Sequence, residues 1–192
     1  MIAIIDYDAG NVKSVQNALK KLGFEAVITS DIETIENADK VIFPGVGEAS
    51  SAMKKLQERG LDAVIPNLKQ PVIGICLGMQ LMCNTSEEGN TKALGIFNCE
   101  VKLFPNSDIV PHMGWNNVSE MKGKLLENIS ETDNFYFVHS YFAEVGESTT
   151  SVCDYITPFS ATLEKDNFYA AQFHPEKSGD AGFKLLENFL KI

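Results

Sequence analysis

Through its first 84 residues the chain alternates short apolar runs with amphipathic stretches, and this limits the architecture more than any other feature. Residues 2–6, 24–28, 40–43 and 72–75 read as strands. Between the first two, residues 11–22 place Val12, Val15, Leu19 and Leu22 on one helical stripe, which Gly23 stops. Residues 31–38 form a short helical segment with Asp31 as its cap, and helical patterns follow at 48–59, 61–68 and 77–84. Strands alternating with helices of this length build βαβ units around a parallel sheet covered on both faces.

Beyond about residue 95 strand patterns dominate, at 98–104, 134–142, 151–156, 159–164 and 167–173, interrupted by one short helix near 123–129. An amphipathic helix closes the chain over 179–191, with Phe183, Leu186, Phe189 and Leu190 expected inward. No Pro/Gly/Ser-rich linker, repeat or low-complexity segment separates the halves. The expectation is one α/β domain over 1–192: a central, mostly parallel sheet with an antiparallel extension and helices on both faces.

The net charge of −10 gives no basic footprint for nucleic acid and repels phosphate-rich ligands, so no nucleic-acid partner is expected. No apolar run approaches the roughly 20 residues of a membrane-spanning helix. The N-terminus, MIAIIDYDAGNVKSV, carries no basic region or small-residue cleavage site, and the chain is expected in the cytoplasm. Four cysteines, Cys76, Cys83, Cys99 and Cys153, form no C-x-x-C pair and are expected to be reduced. Three separated histidines without ligand spacing argue against a zinc site.

Cys76 stands apart through its neighbours. Gly74-Ile75-Cys76-Leu77-Gly78 has the G-x-nucleophile-x-G pattern of a sharp strand-to-helix elbow, with Cys in place of Ser. Such a turn strains the central residue and needs small residues two places away. It also sets the sulfur over unpaired N–H groups that favour a thiolate. The Leu77 amide would face the oxygen of a tetrahedral intermediate. Of the histidines, His174 carries the most information, because it ends an apolar strand in QFHPE. Pro175 restricts His174 to an extended conformation, and residues i and i+2 of an extended segment point the same way. Glu176 would then orient one imidazole nitrogen and leave the other for the thiol. The glycine-rich FPGVG (43–47) lacks the G-K-[ST] continuation of a phosphate loop, so with a thiol nucleophile the amides of Val46 and Gly47 read as an oxyanion hole.

A strand followed by PGVG, then a strand followed by GICLGMQ, then FHPE, in that order over essentially the whole chain, resembles the class I (triad) glutamine amidotransferases. IDYDAGNVKSV, PHMGWN, YFVHSY and QFHPEKSG are similar to the glutaminase subunits of imidazole glycerol phosphate synthases. The resemblance implies a flavodoxin-like fold, a Cys76–His174–Glu176 triad, L-glutamine as substrate, and no metal or organic cofactor. It implies that Gln80 and the Gly47 backbone hold glutamine, with the backbone of Ser140, Tyr141 and Phe142 at its α-amino-acid end. The implied partner is a (β/α)8-barrel cyclase that receives the ammonia, with Asn11, Met113, Trp115, Tyr141 and Lys177 near the docking face. Low glutaminase activity in the isolated subunit is a further implication.

Asp8 departs from the pattern, since the family usually has glycine or another small residue there. Rival readings are the glutaminase of another class I system, such as pyridoxal phosphate synthase, and a thiol hydrolase or peptidase on a similar scaffold. A non-catalytic docking module that kept the scaffold is a third.

Overall fold

In a computed structural model describing residues 1–192, the alternating half forms β1 (Ile2–Ile5), α1 (Val12–Lys21), β2 (Ala26–Thr29), α2 (Ile32–Glu36), β3 (Lys40–Gly45), α3 (Ala49–Glu58), α4 (Leu61–Val64), β4 (Val72–Cys76) and α5 (Leu77–Leu81). The capping residues act as their chemistry requires. Asn11 accepts from the Ser14 amide at the start of α1, and Asp31 accepts from the Thr34 amide at the start of α2. The second half contributes β5 (Thr85–Ser86), β6 (Thr91–Lys92), β7 (Glu100–Leu103), β8 (His112–Asn117), β9 (Asn134–His139), β10 (Tyr141–Ala143), β11 (Thr149–Asp154), β12 (Pro158–Lys165), β13 (Phe168–Ala171) and α6 (Gly179–Lys191).

The main sheet runs β2-β1-β3-β4-β13-β12-β11. Its first five strands are parallel, and β12 and β11 continue it antiparallel. β1 and β4 are buried along their whole length, as strands covered on both faces must be. Alternate residues feed two cores. Ala3, Ile5, Val41 and Phe43 pack with α3 and α5 on one face. Ile2, Ile4, Ile42 and Ile73 pack with α1 and α6 on the other.

β3 runs through Pro44 to Gly45, two residues past the expected end at Phe43. Its pairing with β1 stops at Ile4–Ile42, so Pro44, whose missing N–H would break a ladder, lies beyond that pairing. The expected helix at 61–68 is α4 followed by a 3₁₀ turn, Ile65–Asn67, that contains Pro66. α5 ends at Leu81 rather than at 84, because the carbonyls of Met82 and Cys83 are taken by the amides of Gly95, Ile96 and Phe97. The expected helix at 123–129 is only a 3₁₀ turn, Lys124–Leu126. Gly123 before it and Asn128 after it have positive φ, which no continuing helix allows.

α6 spans the expected residues, but its buried side is Gly182, Leu185, Leu186, Asn188 and Phe189, while Phe183 and Leu190 are only half-buried. The antiparallel extension holds for β11 and β12 alone; the segment 167–173, expected within it, supplies β13, which pairs parallel with β4. The segment 98–104 supplies β7 to a small sheet ordered β10-β7-β5-β6. The segment 134–142 is split at Ser140: β9 pairs with β8 in a two-stranded ribbon, and β10 pairs with β7. No helix is long and apolar enough to cross a membrane.

Candidate active site

Three strand ends meet in one cavity at the carboxyl edge of the parallel sheet, where open α/β sheets bind ligands. β3 delivers the 45–47 loop, β4 delivers Cys76, and the segment after β13 delivers His174. The cavity holds about 310 Å³, and its walls include Val46, Gly47, Cys76, Leu77, Gln80, Ser140, Tyr141 and His174.

Cys76 is the last residue of β4 and sits at φ 55°, ψ −112°, a strained conformation for a residue with a side chain. The glycines around it are required sterically. A Cβ on Gly78 would collide with the Phe43 carbonyl oxygen, and one on Gly74 would come within 2.9 Å of the Met79 amide nitrogen. Leu77 opens α5, so its N–H has no intrahelical acceptor. The amides of Val46 and Gly47 donate to no backbone carbonyl, and Gly47 takes φ 101°. These uncovered donors and the sulfur share the cavity wall.

His174 is extended, as expected before a proline, but Pro175–Lys177 is a 3₁₀ turn and not a continuing strand. That turn, rather than an i, i+2 relation in an extended chain, brings Glu176 Oε1 to 2.8 Å from His174 Nδ1. Both side chains are buried, at 3% and 1% exposure, so solvent does not compete for the contact. The backbone is tied down as well. The His174 amide donates to Tyr136 O at 2.9 Å, and the Ser178 hydroxyl donates to His174 O at 2.6 Å. His174 Nε2 is buried without a conventional hydrogen-bond partner. Burial opposes protonation of this imidazole, but Cys76 and Glu176 together outweigh it and hold His174 well above its ordinary value. The imidazole thus has Glu176 on its Nδ1 side, and the Cys76 side chain is the other neighbour that favours its protonated form.

Gln80 also lines the cavity, and its amide nitrogen donates to Tyr141 O at 2.8 Å and to Gln172 Oε1 at 2.9 Å, leaving its own oxygen outside both bonds. Ser140 and Tyr141 line the cavity; Phe142 does not, and its ring lies 4.6 Å from that of Phe104 in the aromatic core behind the wall. Met113 and Trp115 project from alternate positions of β8 and are 63% and 56% exposed, with Trp115 against Tyr136. Val46, at 41%, adds to the exposed apolar surface. Lys177 is exposed, and Asn11 is occupied in capping α1. Asp8 occupies the left-handed region at φ 60°, where glycine costs least, and its carboxylate is paired with Arg59.

Several residues at the site carried no role in the sequence reading. His112 Nδ1 lies 3.0 Å from His139 Nε2, and His139 Nδ1 donates to Tyr141 O at 2.7 Å. Burial pushes His139 down to about 3 and lowers His112, so both rings are neutral at pH 7. Glu88 lines the cavity and accepts from the Ala49 amide at 2.8 Å, and burial raises its carboxyl. Gln172 lies beside the sulfur within the same QFHPE segment that drew attention to His174, so its position in that motif was the available signal. Nothing in the spacing marks Glu88, or pairs His112 with His139 across two strands.

An elbow thiol, a carboxylate-oriented imidazole and uncovered amides on an α/β sheet are the parts that thiol acyl transfer uses. Residues 3–192 match the profile of the family "Glutamine amidotransferase class-I". The chain is 57% identical over 194 residues to the imidazole glycerol phosphate synthase subunit HisH of Bacteroides fragilis strain YCH46, covering 100% of this chain and 99% of that one. It is 47% identical over 200 residues to subunit HisH 2 of Methanococcus maripaludis, covering 100% and 99%. Among solved structures, a glutamine amidotransferase aligns with a TM-score of 0.74 at 20% identity, over 100% of this chain and 98% of that one, a likeness of fold. The chain therefore belongs to the class-I glutamine amidotransferase family, and within it to the imidazole glycerol phosphate synthase HisH subunits.

Proposed function

We propose that this chain, acting as one amidotransferase domain, hydrolyses L-glutamine to glutamate and ammonia through a Cys76–His174–Glu176 triad. The ammonia passes to a (β/α)8-barrel cyclase subunit that makes imidazole glycerol phosphate and AICAR in histidine biosynthesis. The observation that carries the reading is the positive-φ elbow at Cys76, set in one cavity with an imidazole whose far nitrogen is held by Glu176 at 2.8 Å.

The Cys76 thiolate attacks the side-chain amide carbon of glutamine. The Leu77 amide and the 46–47 loop receive the oxyanion, a contribution worth about 10²–10³ in rate per donor. His174, protonated and oriented by Glu176, gives its proton to the leaving ammonia. It then takes one from the water that hydrolyses the γ-glutamyl thioester. The unused oxygen of Gln80 and the backbone of Ser140 and Tyr141 hold the substrate's polar groups; Phe142 supports that segment from behind. No step calls for a metal or organic cofactor. The exposed Met113, Trp115 and Val46 supply the apolar centre of a docking face, with Lys177, Asn11 and Tyr141 around it, consistent with the enrichment of aromatics and Met at interface cores. The net charge of −10 accords with phosphate chemistry residing in the partner.

The test is glutamate release by the chain alone and with its barrel partner. The partner should raise the rate, and Cys76→Ala should lower it in the complex by at least about 10³-fold. Unchanged glutamine turnover by Cys76→Ala sinks the triad. Equal rates with and without the partner sink the coupling.

A further inference from the structure

We infer that the side-chain amide of Gln172 is a hydrogen-bond donor to the Cys76 sulfur and favours its anionic form. The inference rests on the reading of Cys76 as the nucleophile. Gln172 is fully buried, two residues before His174, and its Nε2 lies 3.7 Å from the sulfur.

The orientation of this amide follows from a backbone atom. The Tyr141 carbonyl can only accept, so the group Gln80 presents to it at 2.8 Å must be its NH₂. The same Gln80 nitrogen faces Gln172 at 2.9 Å, so Gln172 must present its oxygen there. That turns the Gln172 NH₂ toward the sulfur. The reversed amide would oppose two donors at one end and aim an oxygen at a thiolate at the other. A hydrogen bond to the charged form of a group favours that form, and burial prevents water from replacing it.

The other groups at the sulfur do not duplicate this role. The Val138 carbonyl, 4.0 Å away, is an acceptor and offers an anion nothing. His174 supplies the positive charge from the strand end, with neutral His139 behind it. Tyr7, just past the end of β1, does not line the cavity, and its buried hydroxyl makes no hydrogen bond to the sulfur. Gln172 is thus a neutral donor that does not titrate, set opposite a group that does.

The experiment compares alkylation of Cys76 by iodoacetamide in the full-length wild type, Gln172→Met, Gln172→Glu and His174→Asn, read by mass spectrometry of the Cys76 peptide across pH. Gln172→Met keeps the length and removes the donor. It should slow alkylation about tenfold near pH 6 and move the pH profile up by about one unit. Gln172→Glu keeps the shape and the contact with Gln80 but aims oxygen at the sulfur, so its profile should move further. This variant decides the matter if Gln172→Met does not fold. Profiles that superimpose on wild type in the folded Gln172 variants, while His174→Asn slows the reaction, overturn the inference alone. If His174→Asn also leaves alkylation unchanged, the imidazole–thiolate reading of the site fails first.

Discussion

The two walls of the cavity are built by different means. On the sheet side, the position of Cys76 is set by backbone: a strand buried on both faces, a turn at φ 55°, and glycines that let α5 lie against β3. On the opposite side, β8, β9 and β10 lie outside the main sheet, joined to the site by the His174 amide on Tyr136 O and otherwise by side-chain hydrogen bonds. His112 meets His139, and His139 and Gln80 both donate to Tyr141 O. The first wall can fail only by misfolding of the sheet. The second can shift while the sheet stays intact, and it is the one whose ribbon carries the exposed Met113 and Trp115.

The largest effect that separates the walls should come from Gly78→Ala. The new methyl group meets the backbone of Phe43, which cannot retreat without moving β3, so the midpoint of urea unfolding should drop by the equivalent of about 3 kcal/mol or more. Gly146, which has open space around it, should accept alanine within about 0.5 kcal/mol. Equal losses at the two positions would remove the backbone argument for the first wall.

Acid should act on the second wall. His139 and His112 are held below their ordinary values, so below about pH 6.5 the unfolded chain takes up protons that the folded chain refuses. The stability they contribute is present above that pH and is lost as pH falls toward 3 for His139. The slope is up to about 1.4 kcal/mol per unit per group. His174 has the opposite sign, since a raised value adds stability that is lost as pH rises. Unfolding midpoints measured at falling pH should therefore show a shallower acid loss for His139→Gln than for wild type. An unchanged slope would remove His139 as a source of the acid sensitivity.

The smallest effect on folding should be that of Trp115→Ala. The side chain is more than half exposed, so the isolated chain should lose no more than about 0.5 kcal/mol. Affinity for the barrel partner should fall about 30-fold or more if Trp115 anchors the interface. The reverse pattern, a destabilised chain with unaltered association, would make this tryptophan a packing residue.

The same contrast explains what could be read from sequence. β1, β3 and β4 were legible as parallel strands because a strand covered on both faces is a continuous apolar run, whereas β13 reads as part of the antiparallel extension and is parallel to β4. Cys76, His174 and the 45–47 loop were legible because sharp turns restrict residue type. β5 and β6 are two residues each and leave no periodicity, and the break at Ser140 that sends β9 and β10 to different sheets falls inside a segment, 134–142, that reads as a single strand. The segment 123–129 shows the limit of stripe counting, since its leucines are buried on a single 3₁₀ turn flanked by positive-φ residues that no hydrophobic pattern announces. Contacts between side chains distant in sequence, such as Glu88 with Ala49 or His112 with His139, leave no local trace.

One atom gathers much of this. The Tyr141 carbonyl oxygen receives His139 from the ribbon and Gln80 from α5, at 2.7 and 2.8 Å. A rotation of that single peptide plane would release both donors together and free the amides behind them to turn over. Ribbon and helix thus share a single acceptor, and its loss to one is its loss to the other.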